Sequence, residues 1–587
     1  MANDDAAQIF KSAALLKSAP LTQRLKASQR WAKTAKSNGK NDSDYLDAYE
    51  MAISLVSQVT GMEKTIGLRY RNLFDETISD LPNEAAAAAF AASNIDSAFE
   101  FLEQGRCIVW RQIHNLRTPF DKLSSVDQDL ADDLSQIAKE LESAGLRNEA
   151  VVTGLDPIVM KEKMGIQEEA TNSAQLAQRW DALLAKARNI EGFDDFLRPH
   201  RYQDIIRRVP STGYVVVINI HAERCDAIAL GGPKKEALHI PLNLFTYNDA
   251  VRLVRLQDTV LESRGSRTTE HEIEDTVGTR GSRPYLRSSN PMQEILGELW
   301  TSVVNPILQA LEIKGPMSDL KRIWWSPTGP LCFLPIHAAG IYNTRHNVCL
   351  YDYAVSSYIP TVNTLIDLLG QASESQYAKK INVVVVGQGH APGLPPLPGA
   401  QKEINMLKDK FDSAKIEFSC VEGSVATMER AMKDMETFNY IHFACHAIQD
   451  TTHPLKSGFY LSDGRLELWN MLKVHNRDAE LAFLSACQTA RGNSWLWEEA
   501  AHLGAGMLAV GYRGTVATMW SIMDRYGAKV AEDFYSDLFN IDETVDNLGR
   551  RFGSAGSLHS AISRLRAEIG DSDAAMLAWV PYLHMGV

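Results

Sequence analysis

From Tyr214 onwards, short apolar runs rich in β-branched residues alternate with stretches whose apolar residues recur every three or four positions. The first pattern is typical of buried strands and the second of helices. Strands separated by helices form parallel sheets that are covered on both faces. We therefore expect a mostly parallel sheet, with strands at Tyr214–Ile220, Arg322–Trp325, Ile381–Val386, Ile416–Ser419, Tyr440–His446, Leu481–Cys487 and Thr515–Trp520.

Residues 1–205 have only the helical pattern, as in Asp44–Ala52 and Ala85–Trp110. Several stretches resemble the second helix of a tetratricopeptide hairpin, although no clean period of about 34 residues emerges. The predicted fold class is α plus α/β, with a degenerate TPR-like helical region that regulates the protein or binds a partner. A plain helical domain without a partner groove is the alternative.

Residues 206–290 are predicted to form a strand hairpin, in which Cys225–Leu230 pairs with the first strand, and then a polar segment, 261–290. This segment has few large apolar residues to offset its ordering entropy, so we expect a mobile loop. It contains the tetrapeptide Arg-Gly-Ser-Arg twice, at Arg264–Arg267 and Arg280–Arg283. Residues 291–587 are predicted to form the third region, an α/β domain.

The composition argues against several classes of protein. The formal net charge of −13 argues against general nucleic-acid binding. No apolar run is long enough to cross a bilayer, and the N-terminus lacks the features of a secretory signal, so we expect no membrane association and a cytoplasmic location. The 7 cysteines include no C-x-x-C pair, which argues against a disulfide framework and a structural zinc site. We expect no metal and no cofactor.

Two of the predicted strands end on residues with catalytic chemistry. His446 ends the run Tyr440–His446, and Cys487 ends the run Leu481–Cys487. Active sites of open α/β sheets lie at the carboxyl ends of the strands. An imidazole and a thiol brought together there are the minimum for a thiolate nucleophile with its base. The backbone N–H groups of Cys487 and Ala447 are candidate donors to an oxyanion.

Other residues near these runs have simpler interpretations. His442 precedes His446 on the same strand face and is interpreted as a hydrogen-bonded core histidine, while Cys445 faces the other way and packs. The H-x-x-x-H spacing suits a metal only on a helix. A strand followed by Gly387-Gln-Gly389 suggests a dinucleotide fingerprint, but the prolines that follow block an immediate helix, so a turn is favoured.

Taken together, the motifs Tyr440-Ile-His-Phe-Ala-Cys-His-Ala447 and Leu484-Ser-Ala-Cys-Gln-Thr489 resemble the CHAT family of caspase-like peptidases, relatives of caspases and separase. The segments Ser326–His337, Leu397–Ile404 and Ala505–Trp520 resemble further family motifs in the expected order. The resemblance covers roughly Arg283 to Val587, and more loosely the strands from Tyr214, which suggests that 206–290 belongs to a pseudo-caspase subdomain. It implies a caspase-like three-layer α/β domain over 291–587.

The resemblance also implies roles for individual residues. Cys487 is the nucleophile and His446 the general base and acid, working as a dyad. Trp520 and Asp524 stand where relatives of separase line a pocket for a basic side chain, and a carboxylate there selects Arg or Lys by a charge-assisted contact. Asp524 as a helix N-cap is the alternative. Asp450 is interpreted as a turn residue and Arg513 as exposed.

Two functions therefore remain open. The first is a regulated cysteine endopeptidase that cleaves protein substrates, with a protein activator bound by the helical region. If it cleaves after basic residues, self-cleavage after Arg264, Arg267 or Arg280 follows, whereas Arg283 is the poorest site because Pro284 comes next. The second is a catalytically inert signalling or interaction scaffold with a caspase-like module.

Overall fold

The chain divides into two compact units, Met1–Asp204 and Ile205–Val587. A computed structural model describes residues 2–39, 42–73, 76–146, 157–233, 236–263, 290–315, 319–342, 347–374, 381–450, 453–486, 502–541 and 548–587. Each unit has its own secondary-structure class, which confirms the predicted α plus α/β fold class. The finer boundaries predicted within the second unit stay a prediction.

The first unit is helical throughout its described elements, as predicted. Helices that are neighbours in the chain pack on each other, including α1 on α2, α2 on α3 and α6 on α7. The likeness to tetratricopeptide hairpins stays a prediction. In chain order, the helices α1 to α12 are Ala2–Leu15, Leu21–Asn38, Asp42–Val59, Ile66–Leu73, Glu76–Ser79, Leu81–Ala91, Ile95–Gly105, Ile108–Arg117, Asp121–Ser124, Gln128–Gly145, Pro157–Ala187 and Tyr202–Arg208, the last of which continues into the second unit.

Helix α10 shows how local sequence fixes these elements. The side chain of Asp127 caps the helix by accepting a hydrogen bond of 3.0 Å from the Leu130 N–H, one of the donors that a helix leaves without a partner. Leu134 and Leu141 lie one above the other on the buried face, since residues at this spacing share one side of a helix. They pack with Trp180 of α11, so burial of these side chains holds the two helices together.

A cleft of about 290 Å³ lies between α3 and α7 in the first unit. Its lining includes the carboxylates of Asp42, Asp47, Glu50 and Glu100, and no Lys or Arg side chain. The surface of this cleft is therefore negatively charged.

The second unit is built on a mixed sheet of eleven strands among the described residues. The strands follow the order β3-β2-β1-β4-β7-β16-β15-β14-β10-β8-β9, and two small sheets, β11-β12-β13 and β5-β6, lie outside it. From β1 to β16, the strands are Gly213–Ile220, Cys225–Gly231, Leu238–Pro241, Lys321–Pro327, Gly340–Ile341, Val348–Cys349, Ala354–Tyr358, Asn382–Gln388, Glu417–Glu422, Tyr440–Cys445, Ala447–Ile448, Gly458–Leu461, Gly464–Glu467, Leu481–Ser485, Gly514–Thr518 and Tyr582–Gly586.

Most neighbouring strands of the large sheet run parallel, as predicted. Only the pairs β1–β2, β2–β3 and β15–β16 are antiparallel. The β1–β2 pair is the predicted hairpin. The interior strands are buried along their length, as in β8, where all four valines are fully buried. This pattern is expected of strands that helices cover on both faces.

Helices connect the strands and cover the sheet. Helices α13 to α23 are Tyr247–Ser263, Pro291–Leu299, Asn305–Ala310, Val362–Glu374, Pro398–Ala414, Met428–Thr437, Leu468–Met471, Leu503–Val510, Asp524–Leu538, Leu548–Ile569 and Asp573–Trp579. A π-helical turn, Trp300–Val304, joins α14 to α15. Short 3₁₀ turns lie at Gly329–Phe333, Ile336–Ala338, Leu350–Asp352, Gly423–Val425 and Pro454–Lys456.

The first residues of the predicted loop 261–290 are helical. Helix α13 continues to Ser263, because Leu261 is fully buried and extends the helix's apolar face. Residues 264–289 lie outside the described residues, and so do the candidate cleavage sites Arg264, Arg267 and Arg280. Among the described helices, none is both long enough and apolar enough to cross a bilayer.

Candidate active site

The strands β10 and β14 are parallel neighbours in the sheet. Their register pairs His442 with Phe483 and Ala444 with Ser485. His446 and Cys487 come two residues after Ala444 and Ser485 in the sequence. The pairing of the strands therefore favours a meeting of these two positions at one edge of the sheet. Cys487 itself lies outside the described residues. The dyad therefore stays a prediction, while the surroundings of the His446 imidazole are defined.

His446 follows directly after the end of β10 and is half-buried. Its Nε2 lies 2.8 Å from the carbonyl oxygen of Pro395. A carbonyl oxygen only accepts hydrogen bonds, so Nε2 carries the proton and donates it. In a neutral imidazole, Nδ1 then has the free lone pair and is the nitrogen that can act as a base. Among the described residues, no carboxylate hydrogen-bonds this ring.

The carbonyl of Pro395 belongs to the proline-rich loop that follows β8, for which the sequence predicts a turn. The loop is closed by the hydrogen bond from the Leu397 N–H to the Gly389 carbonyl, at 2.8 Å. Since β8 is the neighbour of β10, this loop lies beside His446. Its role in orienting the imidazole was missed in the sequence. The sequence feature that could have indicated it was the constrained, proline-rich loop after β8, the neighbour of the strand that leads to His446.

Ala447 is a suitable oxyanion donor on backbone grounds. It faces Phe459 across the pair β11–β12, and the Tyr460 N–H donates to the His446 carbonyl at 2.9 Å. This geometry makes Ala447 and Phe459 a non-hydrogen-bonded pair, in which the N–H groups point away from the partner strand. The Ala447 N–H therefore takes no part in the β11–β12 ladder. Its role at an oxyanion stays a prediction.

Two side chains fix the described end of β14. Thr518 of β15 donates its hydroxyl to the carbonyl of Ala486, at 2.8 Å. Ser485 donates to Oε2 of Glu403 on α17, also at 2.8 Å. The chain immediately before Cys487 is thus held by a neighbouring strand and by a covering helix.

His442 is a core histidine, as predicted. It is fully buried, its ring stacks on Phe483 with centroids 4.8 Å apart, and its Nδ1 lies 3.3 Å from the Tyr535 hydroxyl. Cys445 is buried on the opposite face. Within the described residues, no group of three or more His, Cys, Asp or Glu side chains has the arrangement of a metal site.

The residues proposed for the substrate pocket lie between β15 and α21. The Trp520 indole is 1% exposed and donates to the Leu577 carbonyl at 3.2 Å, so its ring packs in the core. Asp524 is the first residue of α21, and Met523 occupies the N-cap position. The side chain of Asp524 lies outside the described part of the chain, so its pocket role stays a prediction.

Two further predictions concern charged residues. The prediction that Arg513 is exposed is wrong: it is half-buried and its guanidinium lies 3.0 Å from the Glu480 carboxylate, which gives it a partner away from solvent. Glu480 precedes β14 and Arg513 precedes β15, so both lie at the amino ends of these strands. This is the edge of the sheet opposite to the one that carries His446. Asp450 accepts a hydrogen bond from the His453 N–H, as expected of a turn residue.

Several of the described cysteines are shielded by their environment. Cys107, Cys225, Cys349 and Cys445 are buried, and burial raises the pKa of the Cys225 thiol to about 11. Burial also raises the pKa of the half-buried Cys420 thiol, although Lys408 opposes that effect. The Cys225 and Cys420 thiols are therefore mostly protonated at neutral pH, which makes them weak nucleophiles.

Comparison with solved structures gives matches at low sequence identity and with TM-scores below 0.5. Two crystal structures of the Saccharomyces cerevisiae separase–securin complex match 97% and 100% of this chain, each at 11% identity, with TM-scores of 0.40 and 0.41. The chain spans only 45% and 52% of the length of those separase chains. The Arg-specific cysteine proteinase gingipain R matches 51% of this chain and 67% of its own, at 10% identity and a TM-score of 0.33.

The sequence comparisons identify the family. No curated protein sequence matches this chain. The family model of the CHAT domain matches residues 293–587, which is half of the chain and contains both His446 and Cys487. Those residues include the strands β10 and β14 and the helices that cover them. The chain therefore belongs to the CHAT domain family.

Proposed function

We propose that this protein is a cysteine endopeptidase in which Cys487 and His446 form the catalytic dyad. The observation that carries the proposal is the hydrogen bond between His446 Nε2 and the Pro395 carbonyl, beside the strand that leads to Cys487. A half-buried imidazole held in one tautomer, with a free lone pair on Nδ1, can accept a proton from a thiol.

The reaction then follows from these groups. Nδ1 of His446 takes the proton of the Cys487 thiol, and the thiolate attacks the carbonyl carbon of the scissile peptide bond. The backbone N–H groups of Cys487 and Ala447 stabilise the oxyanion. As the C–N bond breaks, the imidazolium gives its proton to the leaving nitrogen and a thioester remains. Water, activated by the same nitrogen, hydrolyses the thioester and restores the thiol.

Protonation of the His446 ring does not require a carboxylate partner in this scheme. The imidazolium that forms keeps its Nε2–H donated to the Pro395 oxygen, whose partial negative charge stabilises the cation. This is why we propose a dyad supported by a backbone carbonyl rather than a triad.

Three finer features belong to the same proposal. Asp524 forms part of the pocket that selects a basic side chain, and Arg264, Arg267 and Arg280 are sites of self-cleavage. The helical unit binds a protein activator. Mapping new termini after incubation of the purified chain tests self-cleavage, and the cuts are expected to disappear in Cys487→Ala. Cuts that persist at the same rate in that variant would come from another protease.

Reaction with a small electrophile tests the dyad directly. At pH 6, an ordinary thiol with a pKa near 8.5 is ionised to only about 0.3%, whereas a histidine-paired thiol is ionised roughly a hundredfold more. We expect iodoacetamide to modify Cys487 of the full chain about a hundred times faster than Cys420, as followed by mass spectrometry of the peptides. His446→Ala is expected to remove most of this difference.

Cys420 is an internal reference, because it is half-buried in the same unit and is not part of the site. Equal, slow modification of Cys487 and Cys420 at pH 6 would contradict the peptidase and favour the inert scaffold.

A further inference from the structure

A buried carboxylate lies on the helix α17, which covers the sheet beside β10 and β14. Glu403 is 3% exposed. Its Oε2 accepts the hydrogen bond from Ser485, and its Oε1 lies 3.2 Å from Nε2 of His442. On the other side of His442, Nδ1 lies near the hydroxyl of Tyr535. We refer to Glu403, His442, Ser485 and Tyr535 as the Glu403 cluster.

The Glu403 cluster joins the two strands that lead to the dyad. His442 lies on β10, four residues before His446, and Ser485 lies at the end of β14, two residues before Cys487. One carboxylate therefore contacts both strands, one with each oxygen. A change in its position would alter the separation of the two strand ends.

The same cluster reaches the helix that begins at Asp524. Tyr535 lies on α21, and Gly527 of that helix packs over the Glu403–Ser485 hydrogen bond: a Cβ built on Gly527 would lie 3.6 Å from Glu403 Oε2. Burial raises the pKa of Tyr535 well above its usual value, and the Glu403 carboxylate adds to that effect. Tyr535 therefore remains a neutral hydroxyl beside His442.

Stability alone is a poor explanation for this arrangement. A buried carboxylate loses its hydration, and apolar side chains of similar size fill such a space at lower cost. The contact between Glu403 Oε1 and His442 Nε2 also lacks good hydrogen-bond alignment, so it does not fully offset that loss. A carboxylate with two partners on different strands does, however, fix their relative position more tightly than apolar packing does.

We propose that Glu403 is a positioning residue for the dyad, holding the carboxyl ends of β10 and β14 at the separation that His446 and Cys487 require. This inference rests on the proposed peptidase function. It does not give Glu403 a contact with the substrate. Reactive groups must be held within a fraction of an ångström of their working geometry, so a loosened strand end lowers the reactivity of the thiol.

The test compares two substitutions of Glu403 in the full chain. Glu403→Leu keeps the approximate size of the side chain and removes both acceptor oxygens. We expect it to lower the rate constant for reaction of Cys487 with iodoacetamide by about tenfold or more. Glu403→Gln is expected to keep the rate within about threefold, because its oxygen accepts from Ser485 and its NH₂ donates to His442 once the imidazole proton moves to Nδ1.

Asp226 provides a matched control at the other end of the sheet. It is a fully buried carboxylate of β2 that contacts a histidine, His239, at 2.8 Å. Asp226→Leu therefore removes a buried carboxylate–histidine contact without touching β10 or β14. It is expected to leave the rate at Cys487 unchanged, whatever its effect on the thermal midpoint.

A second pair of variants decides the question if Glu403→Leu does not fold. Ser485→Ala removes only the hydroxyl and is expected to lower the rate of reaction of Cys487 with iodoacetamide several-fold. Ser485→Thr keeps the hydroxyl donor, so it is expected to react at the rate of the natural chain. If the natural chain reacts no faster at Cys487 than at Cys420, the peptidase proposal fails. If it does react faster, and both Glu403→Leu and Ser485→Ala leave that rate intact, only the positioning role is overturned.

Discussion

The orientation of the His446 ring depends on one backbone carbonyl. Every residue has a carbonyl, so the sequence contains no mark that distinguishes the oxygen of Pro395 as a partner for an imidazole. The contact arises because the loop after β8 turns back to hydrogen-bond itself and lies next to β10. Substituting Pro395 would leave that oxygen in place. The shape of the loop is therefore the property to perturb.

Gly393 offers a way to change the shape of this loop. Its φ is +79°, where an L-residue is strained, and no atom would contact a Cβ built on it. We expect Gly393→Ala to cost about 1–2 kcal/mol of stability and to lower the iodoacetamide reactivity of Cys487 at pH 6 several-fold, because relief of the strain shifts the Pro395 carbonyl.

The matched control is Gly570→Ala, at a glycine with φ +76° and equally open space at the end of α22. It is expected to cost similar stability and to leave the thiol unaffected. Equal losses of reactivity in the two variants would show that general destabilisation, and not the loop, is responsible.

At the level of elements, the sequence predicted the strands that bring the candidate site together. The runs at β8, β10, β14 and β15 are continuous and apolar, because helices cover both of their faces. The strands β7 and β16 were missed. Each carries buried polar side chains, such as Ser357 and His584, which hydrogen-bond each other across the pair and interrupt the apolar pattern.

The elements around the candidate site were predictable and its polar contacts were not. His446 and Cys487 stand out because they follow apolar runs, and the position of β10 beside β14 agrees with the family resemblance. The contacts of Ser485 with Glu403 and of Thr518 with Ala486 join residues that are 82 and 32 positions apart. No local pattern encodes such pairs, since they depend on the final packing of helix on sheet.

The hydroxyl of Thr518 is expected to matter more than that of a second threonine on the same strand. Thr518→Val leaves the Ala486 carbonyl without this donor, so we expect a loss of about 1–2 kcal/mol and a several-fold slower reaction of Cys487 with iodoacetamide. Calorimetry of the full chain and mass spectrometry of the modified peptides give the two readouts.

Thr515 is the control. It is also fully buried in β15, but within the described residues its hydroxyl has no hydrogen-bond partner. Thr515→Val is therefore expected to leave the free energy of unfolding unchanged or to raise it, because it removes a buried hydroxyl that forms no hydrogen bond there. A larger loss in Thr515→Val than in Thr518→Val would contradict the assigned contact.

At the level of the whole molecule, three buried histidines make the stability of the second unit dependent on pH. Burial lowers the pKa of His337 and of His559 to about 4, and that of His584 well below its usual value. The nearby Arg322 guanidinium lowers the pKa of His559 and His584 further. These imidazoles are neutral in the folded protein at pH values where the unfolded chain binds protons.

The free energy of unfolding is therefore expected to be constant above about pH 6.5 and to fall as the pH drops towards 4. For His337 and for His559, with a folded pKa of about 4, the expected fall between pH 6.5 and pH 5 is about 1.6 kcal/mol each. Calorimetry of the full chain at pH 7, 6 and 5 measures the decline. His337→Phe is expected to make it shallower, while His453→Gln, at an exposed imidazole, serves as the control. A midpoint that does not change with pH would contradict the burial of neutral histidines.

The strand β16 has a consequence for the biogenesis of this protein. It lies between β7 and β15 in the middle of the sheet, yet it is the last of the sheet's strands in chain order. Trp324 of β4 also donates to the Gly586 carbonyl, so strands made early depend on the one made last. During translation, the two halves of the sheet cannot be joined until this segment has left the ribosome. The half of the sheet that carries His446 therefore joins the other half only after β16 has been synthesised.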